Sequence, residues 1–121
     1  MPAARRRLHE AGVDFYLAPT AHDADVWVAA MRAFAFEAGA FVLSAIQYVT
    51  RADYPDDFPL AEELAGCPEV LMRGGSVIAD PWGEILGVRP EGEGVVLAEI
   101  DSDRIKNIRA SLPALSHRRK L

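Results

Sequence analysis

From Ala24 to Ala38 the chain runs through Trp27, Val28, Ala29, Ala30, Met31, Ala33, Phe34, Ala35 and Phe36, with only Arg32 and Glu37 polar across its centre. A helix lying on a domain surface shows one apolar stripe and one wet face. This helix is apolar nearly all round, so both of its sides need cover. One side can pack on a sheet, while the other calls for a second layer or another subunit. Burial at the middle of a single chain is the alternative, but 121 residues supply few elements to surround it. Asp23 or Asp25 is placed to cap this helix and Gly39 to stop it. A charged pair inside so apolar a helix is costly unless satisfied, so Arg32 and Glu37 are expected to form a buried structural anchor.

The flanking segments read as an α/β (α+β) arrangement. Pro2 to Ala11 predicts a short helix, with Pro2 in its first turn and Gly12 at its stop. Val13 to Ala18 predicts a strand that ends at Pro19-Thr20. Phe41 to Val49 is apolar without strict alternation, the pattern of a strand covered on both faces. A long connection follows from Thr50 to Glu69, broken by Pro55, Pro59 and Pro68, and connections of that length are usually functional or interface-forming. Gly74-Gly75 reads as a backbone turn. Ser76 to Asp80 and the segment from Glu84 predict a hairpin around Pro81-Trp82-Gly83. Val95 to Ile100 predicts one more strand, and Asp101 caps a closing helix to Ala110.

Composition narrows the functional classes. Half the residues are hydrophobic and 26% are charged, which excludes a disordered tail or a disulfide miniprotein. No apolar run reaches the ~18 residues of a membrane span, and no signal segment opens the chain, so no membrane is expected as partner. The net charge of −5 argues against a nucleic-acid partner, although Arg5, Arg6 and Arg7 cluster near one terminus and Arg118, Arg119 and Lys120 near the other. Cys67 is the single cysteine, which suits a reducing cytoplasm.

Self-contained chemistry is not evident. Cys67 has no neighbouring histidine to activate it and no second cysteine for a zinc site. His9, His22 and His117 are scattered without ligand spacing, so no metal and no cofactor are expected. Asp53, Asp56, Asp57, Glu62 and Glu63 form an acidic patch without the alternation of a calcium loop, and they read as a solvated loop. Arg73-Gly74-Gly75-Ser76 leads into a strand rather than a helix and lacks the lysine of a phosphate cradle.

Taken in order, Met1-Pro2, Gly12-Val13, Tyr16 to Ala21, Trp27, Met31-Arg32, Glu37, Gly39, Phe41 to Ala45, Gln47, Arg51 to Pro55, Arg73 to Ile78, Asp80-Pro81 and Gly83 resemble the nitrilase and cyanide hydratase branch of the carbon–nitrogen hydrolases. Ala40 departs from the pattern, standing where nitrilases often carry a second, non-catalytic cysteine. The tail, Arg109 to Pro113 with His117 to Arg119, looks more like general members of the superfamily. The resemblance implies a four-layer α-β-β-α sandwich, of which this chain would be the C-terminal half. It also implies a substrate-pocket wall at Pro19, Thr20 and Ala21, although an ordinary strand-ending turn accounts for those residues equally well. Family members use a catalytic Glu, Lys and Cys, the last in a Cys-Trp-Glu-Asn-x-Met-Pro segment. Met1-Pro2 resembles the end of that segment, so the triad would lie ahead of residue 1 and no catalytic residue is expected in the chain. The expectation is therefore a partial domain over 1–121, inactive alone, from a parent that takes a small nitrile or amide. A homo-oligomer would form through the helix Ala24 to Ala38. The other readings are a non-catalytic partner subunit and a small α/β binding module.

Overall fold

A computed structural model describes residues 2–89 and 91–112. The basic cluster at Arg118 to Lys120, His117 and Pro113 lie outside the described residues. Helix α1 (Pro2–Glu10) is closed by Gly12, whose φ of 73° is left-handed. Strand β1 (Phe15–Leu17) is followed by helix α2 (Asp25–Ala38), which ends at Gly39 with φ 57°. Strand β2 (Phe41–Ser44) then returns parallel to β1, pairing Tyr16 with Val42. β1, α2 and β2 thus form a parallel crossover unit, and a helix long enough to cross back is what parallel strands require.

Strands β5 (Val77–Ala79) and β6 (Ile85–Val88) extend the sheet antiparallel in the order β1-β2-β5-β6. One face of this sheet carries α2. Met31 and Ala35 on the helix pack against Ala18, Val42, Val77 and Ala79, with Tyr16, Trp27 and Phe34 at the margin. Trp27 Nε1 donates to Ser44 Oγ at 2.8 Å, and the Ser44 hydroxyl donates onward to the Ala18 carbonyl at 2.7 Å. The polar tip of the tryptophan is thereby satisfied at the edge of an apolar core.

Three sequence expectations are corrected. The strand expected over Phe41 to Val49 breaks after Ser44. Its second part, β3 (Tyr48–Thr50), belongs to a separate two-stranded sheet with β4 (Val70–Arg73), because its pairing partner lies beyond the long connection. That connection holds a 3₁₀ turn at Arg51–Asp53 and a short helix α3 (Ala61–Ala65). The segment Val95 to Ile100 is not a strand. Val96 sits 2.9 Å from where a Cβ on Gly87 would stand, so this segment lies over the face of β6 instead of joining its edge. Finally, Asp23 does not cap α2, because its carboxylate accepts the Arg73 backbone N–H at 2.8 Å.

Helix α4 (Asp103–Ser111) starts just after Asp101, whose carboxylate accepts the Asp103 N–H at 2.9 Å. It lies at the end of the sheet where β1 begins and β5 ends. Arg109 binds the Asp14 carboxylate at 2.9 Å and the Val13 carbonyl at 2.8 Å, while Arg104 binds Asp80. Among the described residues, no helix is long and apolar enough to cross a membrane.

Candidate functional site

The loop from Pro19 to Ala24 leaves the C-terminal end of β1 and is held from both sides. Thr20 forms a parallel bridge with Ile46: its N–H donates to the Ala45 carbonyl at 3.0 Å and its carbonyl accepts the Gln47 N–H at 3.1 Å. Its hydroxyl oxygen accepts the His22 N–H at 3.0 Å, closing a local turn of the kind Thr side chains favour. The His22 ring then meets Trp27 edge to face, with centroids 5.8 Å apart.

Arg73, at the end of β4, grips the same loop. Besides its backbone bond to the Asp23 carboxylate, its guanidinium donates to the Asp23 carbonyl and to the Asp25 carboxylate. The backbone N–H of Arg73, aided by its charge, holds the Asp23 carboxyl below the usual aspartate range. The Asp25 carboxylate, with Asp23 behind it, raises Arg73 further above its already high value. This clamp joins residues 50 apart in sequence. The sequence alone does not reveal it, because Arg73 reads there as part of a glycine turn and Asp23 as a helix cap.

Two adjoining clefts open beside the loop. One, of about 470 Å³, is mostly apolar and is lined by Leu17, Pro19, Leu43, Ala45, Ile78 and Val95. The other, of about 370 Å³, is polar, with Tyr48, Thr50, Asp53 and Glu93 on its walls, and the two meet at Ser76 and Gly94. Asp53 is held below the usual range by the N–H and hydroxyl of Thr50, at 2.6 and 2.9 Å. Of the three residues expected as a pocket wall, Pro19 lines the apolar cleft; Thr20 and Ala21 do not. Thr20 anchors the loop, and Ala21 is exposed.

Arg32 and Glu37 are exposed, which corrects the expected burial. The reason is that each reaches outward from α2 to a different element. Arg32 Nε donates to the Gly83 carbonyl at 2.7 Å, tying the helix to the β5–β6 turn. Glu37 pairs with Arg5 of α1 at 3.2 Å, and Arg5 also stands over the Phe34 ring at 4.4 Å. Asp80, at that same turn, is fully buried. Its carboxylate accepts the N–H groups of Trp82 and Glu84 at 2.9 and 2.8 Å and receives Arg104.

Cys67 is exposed at the end of α3, and its thiol contacts the Glu63 carbonyl at 3.4 Å. A backbone carbonyl accepts from the thiol without activating it as a nucleophile. Among the described residues, no group of three or more His, Cys, Asp or Glu could hold a metal ion.

The family model described as carbon–nitrogen hydrolase matches residues 1–110. The chain belongs to the carbon–nitrogen hydrolase family. Its relatives place it in the nitrilase branch. It is 40% identical over 119 residues to an aliphatic nitrilase of Sinorhizobium fredii, covering 97% of this chain and 38% of that one. It is 38% identical over 122 residues to a bifunctional nitrilase/nitrile hydratase of Lupinus angustifolius, covering 35% of it. The chain therefore spans little more than a third of these relatives. The crystal structure of a carbon–nitrogen hydrolase from Helicobacter pylori matches with a TM-score of 0.72 at 20% identity, over 98% of this chain and 42% of that one. Saccharomyces cerevisiae Nit3 matches with a TM-score of 0.70 at 21% identity, covering 98% and 40%. Both likenesses speak for the fold alone, a mixed helix-and-sheet part of the carbon–nitrogen hydrolase architecture.

Proposed function

We propose that this chain supplies scaffold and one pocket wall to a nitrilase-type hydrolase and has no turnover by itself. The observation that carries this reading is the family match across residues 1–110 by a chain about a third as long as its relatives. In the parent, a cysteine thiolate attacks the nitrile or amide carbon, a glutamate moves protons, and a lysine supports charge developing on the heteroatom. From an amide this attack expels ammonia and leaves a thioester; from a nitrile it leaves a thioimidate, which one water converts to the thioester with loss of ammonia, and a further water cleaves the thioester to release the acid and the free thiol. Cys67 is not the nucleophile in this reading, because it is exposed just beyond the end of α3, does not line the Pro19 cleft, and its thiol contacts a backbone carbonyl.

The contribution of this chain is positional. Pro19 presents an apolar surface, and the Thr20 bridge and Arg73 clamp hold that loop still. Small aliphatic or aromatic nitriles and amides suit such a wall. The outer face of α2, where Val26, Ala29, Ala33 and Phe36 are exposed, supports self-association through this helix. The single free cysteine agrees with a cytoplasmic setting.

The test is ammonia release by the purified 121-residue chain with aliphatic and aromatic nitriles and their amides. No turnover is expected, for the wild type and for Cys67→Ala alike. Turnover that disappears in Cys67→Ala overturns the reading.

A further inference from the structure

Pro19 has no backbone N–H, so its own amide cannot tie it to a neighbouring strand. Its place depends on the peptide groups on either side. After it, the Thr20 N–H donates to the Ala45 carbonyl at 3.0 Å. Before it, the Ala18 N–H donates to the Leu43 carbonyl at 2.9 Å. The Ala18 carbonyl belongs to the Ala18-Pro19 peptide itself, and a side chain holds it: the Ser44 hydroxyl donates to it at 2.7 Å. Ser44 is 3% exposed, and its oxygen accepts Trp27 Nε1 at 2.8 Å. An indole N–H only donates, so it occupies the acceptor side of the hydroxyl and leaves the Ser44 proton for Ala18. Hydrogen bonds in series of this kind strengthen one another.

We propose that Ser44 is a positioning residue for the substrate: it fixes the plane of the Ala18-Pro19 peptide and, through it, the Pro19 surface that lines the apolar cleft. The Thr20 bridge and the Arg73 clamp act on the loop beyond Pro19, whereas Ser44 acts on the step before it. Ser44 is itself steadied by Trp27 of α2, at the margin of the core that Met31 and Ala35 build. The wall is thereby referred to the helix and the sheet together. Losing the Ser44 hydroxyl frees the Ala18 carbonyl without touching Pro19, so substrate fit weakens while the reacting groups keep their places. The expected signature is a raised KM at constant kcat, the mark of lost uniform binding. The inference rests on reading Pro19 as a wall of the substrate pocket.

Amide hydrogen exchange on the 121-residue chain, read by NMR, tests the hold on the loop. Ser44→Ala is expected to speed exchange of the Thr20 amide about fivefold, the ratio that one neutral hydrogen bond supplies. Trp27→Phe keeps an aromatic ring and the Ser44 bond to Ala18, so its Thr20 amide is expected within about twofold of wild type. The Gly83 amide, bonded to the Asp80 carbonyl at the β5–β6 turn, serves as the reference and keeps its rate in both variants. In a nitrilase front section joined to residues 1–121, Ser44→Ala is expected to raise KM about fivefold with kcat unchanged. On a Pro19→Gly background the same change adds nothing, because it acts through Pro19. Unchanged Thr20 exchange in Ser44→Ala overturns the proposal, as does Trp27→Phe loosening Thr20 equally. So does a KM effect that simply adds to that of Pro19→Gly. A joined wild type without turnover counts against the proposed function, while Thr20 exchange still decides whether Ser44 holds the loop.

Discussion

Replacing Asp80 by alanine removes a carboxylate that organises the β5–β6 turn from inside the protein. Asp80 has no solvent exposure, and its carboxylate accepts two backbone N–H groups, at 2.9 and 2.8 Å, as well as Arg104. Hydrogen bonds to a charged partner contribute about 1.5–3 kcal/mol each. Trp82 and Glu84 are themselves exposed, so their freed amides regain water and the lower figure applies. The two amides together give a loss of about 3 kcal/mol for Asp80→Ala. That is a substantial part of the roughly 5–15 kcal/mol that holds a domain together. Asp80→Asn keeps an oxygen for both amides and loses only the charge, so its loss is expected at about half. Urea unfolding followed by tryptophan fluorescence reads both. With a slope of about 1.5 kcal/mol/M, the alanine variant shifts the midpoint down by about 2 M. An alanine variant within about 1 kcal/mol of wild type, or an asparagine variant as damaged as alanine, refutes the buried-carboxylate argument.

Further outcomes follow from other contacts. Gly83→Ala is expected to cost more than Gly12→Ala in the same urea assay. Both glycines have left-handed φ, at 78° and 73°, but only at Gly83 would a Cβ meet a backbone oxygen, that of Arg32 at 3.1 Å, while Gly12 faces open space. The common left-handed penalty is about 1–2 kcal/mol. The Asp23 clamp has a defined pH sign. Its folded pKa lies below the ordinary aspartate value, so its stabilisation is present above that value and is lost as pH falls through the lower folded one. Stability of the wild type should therefore fall more steeply than that of Asp23→Asn as pH drops below about 4; parallel curves count against the clamp. Cys67→Ala, at an exposed site with one weak contact, is expected to leave stability within about 0.5 kcal/mol.

What the sequence made legible follows contact range. Gly12 and Gly39 end α1 and α2 where expected, because a left-handed stop is a local property of one residue. The succession of a strand, an apolar helix and a strand was readable, whereas the parallel pairing of β1 with β2 is seen only in the structure. The split of Phe41 to Val49 into β2 and β3 was not, since β3 pairs with β4 across the whole proline-rich connection. The same distance hid the Arg73 clamp on Asp23 and the Arg104 contact to Asp80. Arg32 and Glu37 were noticed as polar residues in an apolar helix, but the sequence does not reveal which way a side chain reaches. The resemblance pointed to the Pro19 loop, while the force that fixes it comes from residues that no local motif connects.

The most direct measurement joins the front section of the Sinorhizobium fredii aliphatic nitrilase, through its catalytic cysteine segment, in frame to residues 1–121 and assays ammonia release from nitriles. The account predicts turnover by the joined protein, none by either piece alone, and a changed KM when Pro19 is replaced. A joined protein that folds, holds its mass on a sizing column and releases no ammonia contradicts it.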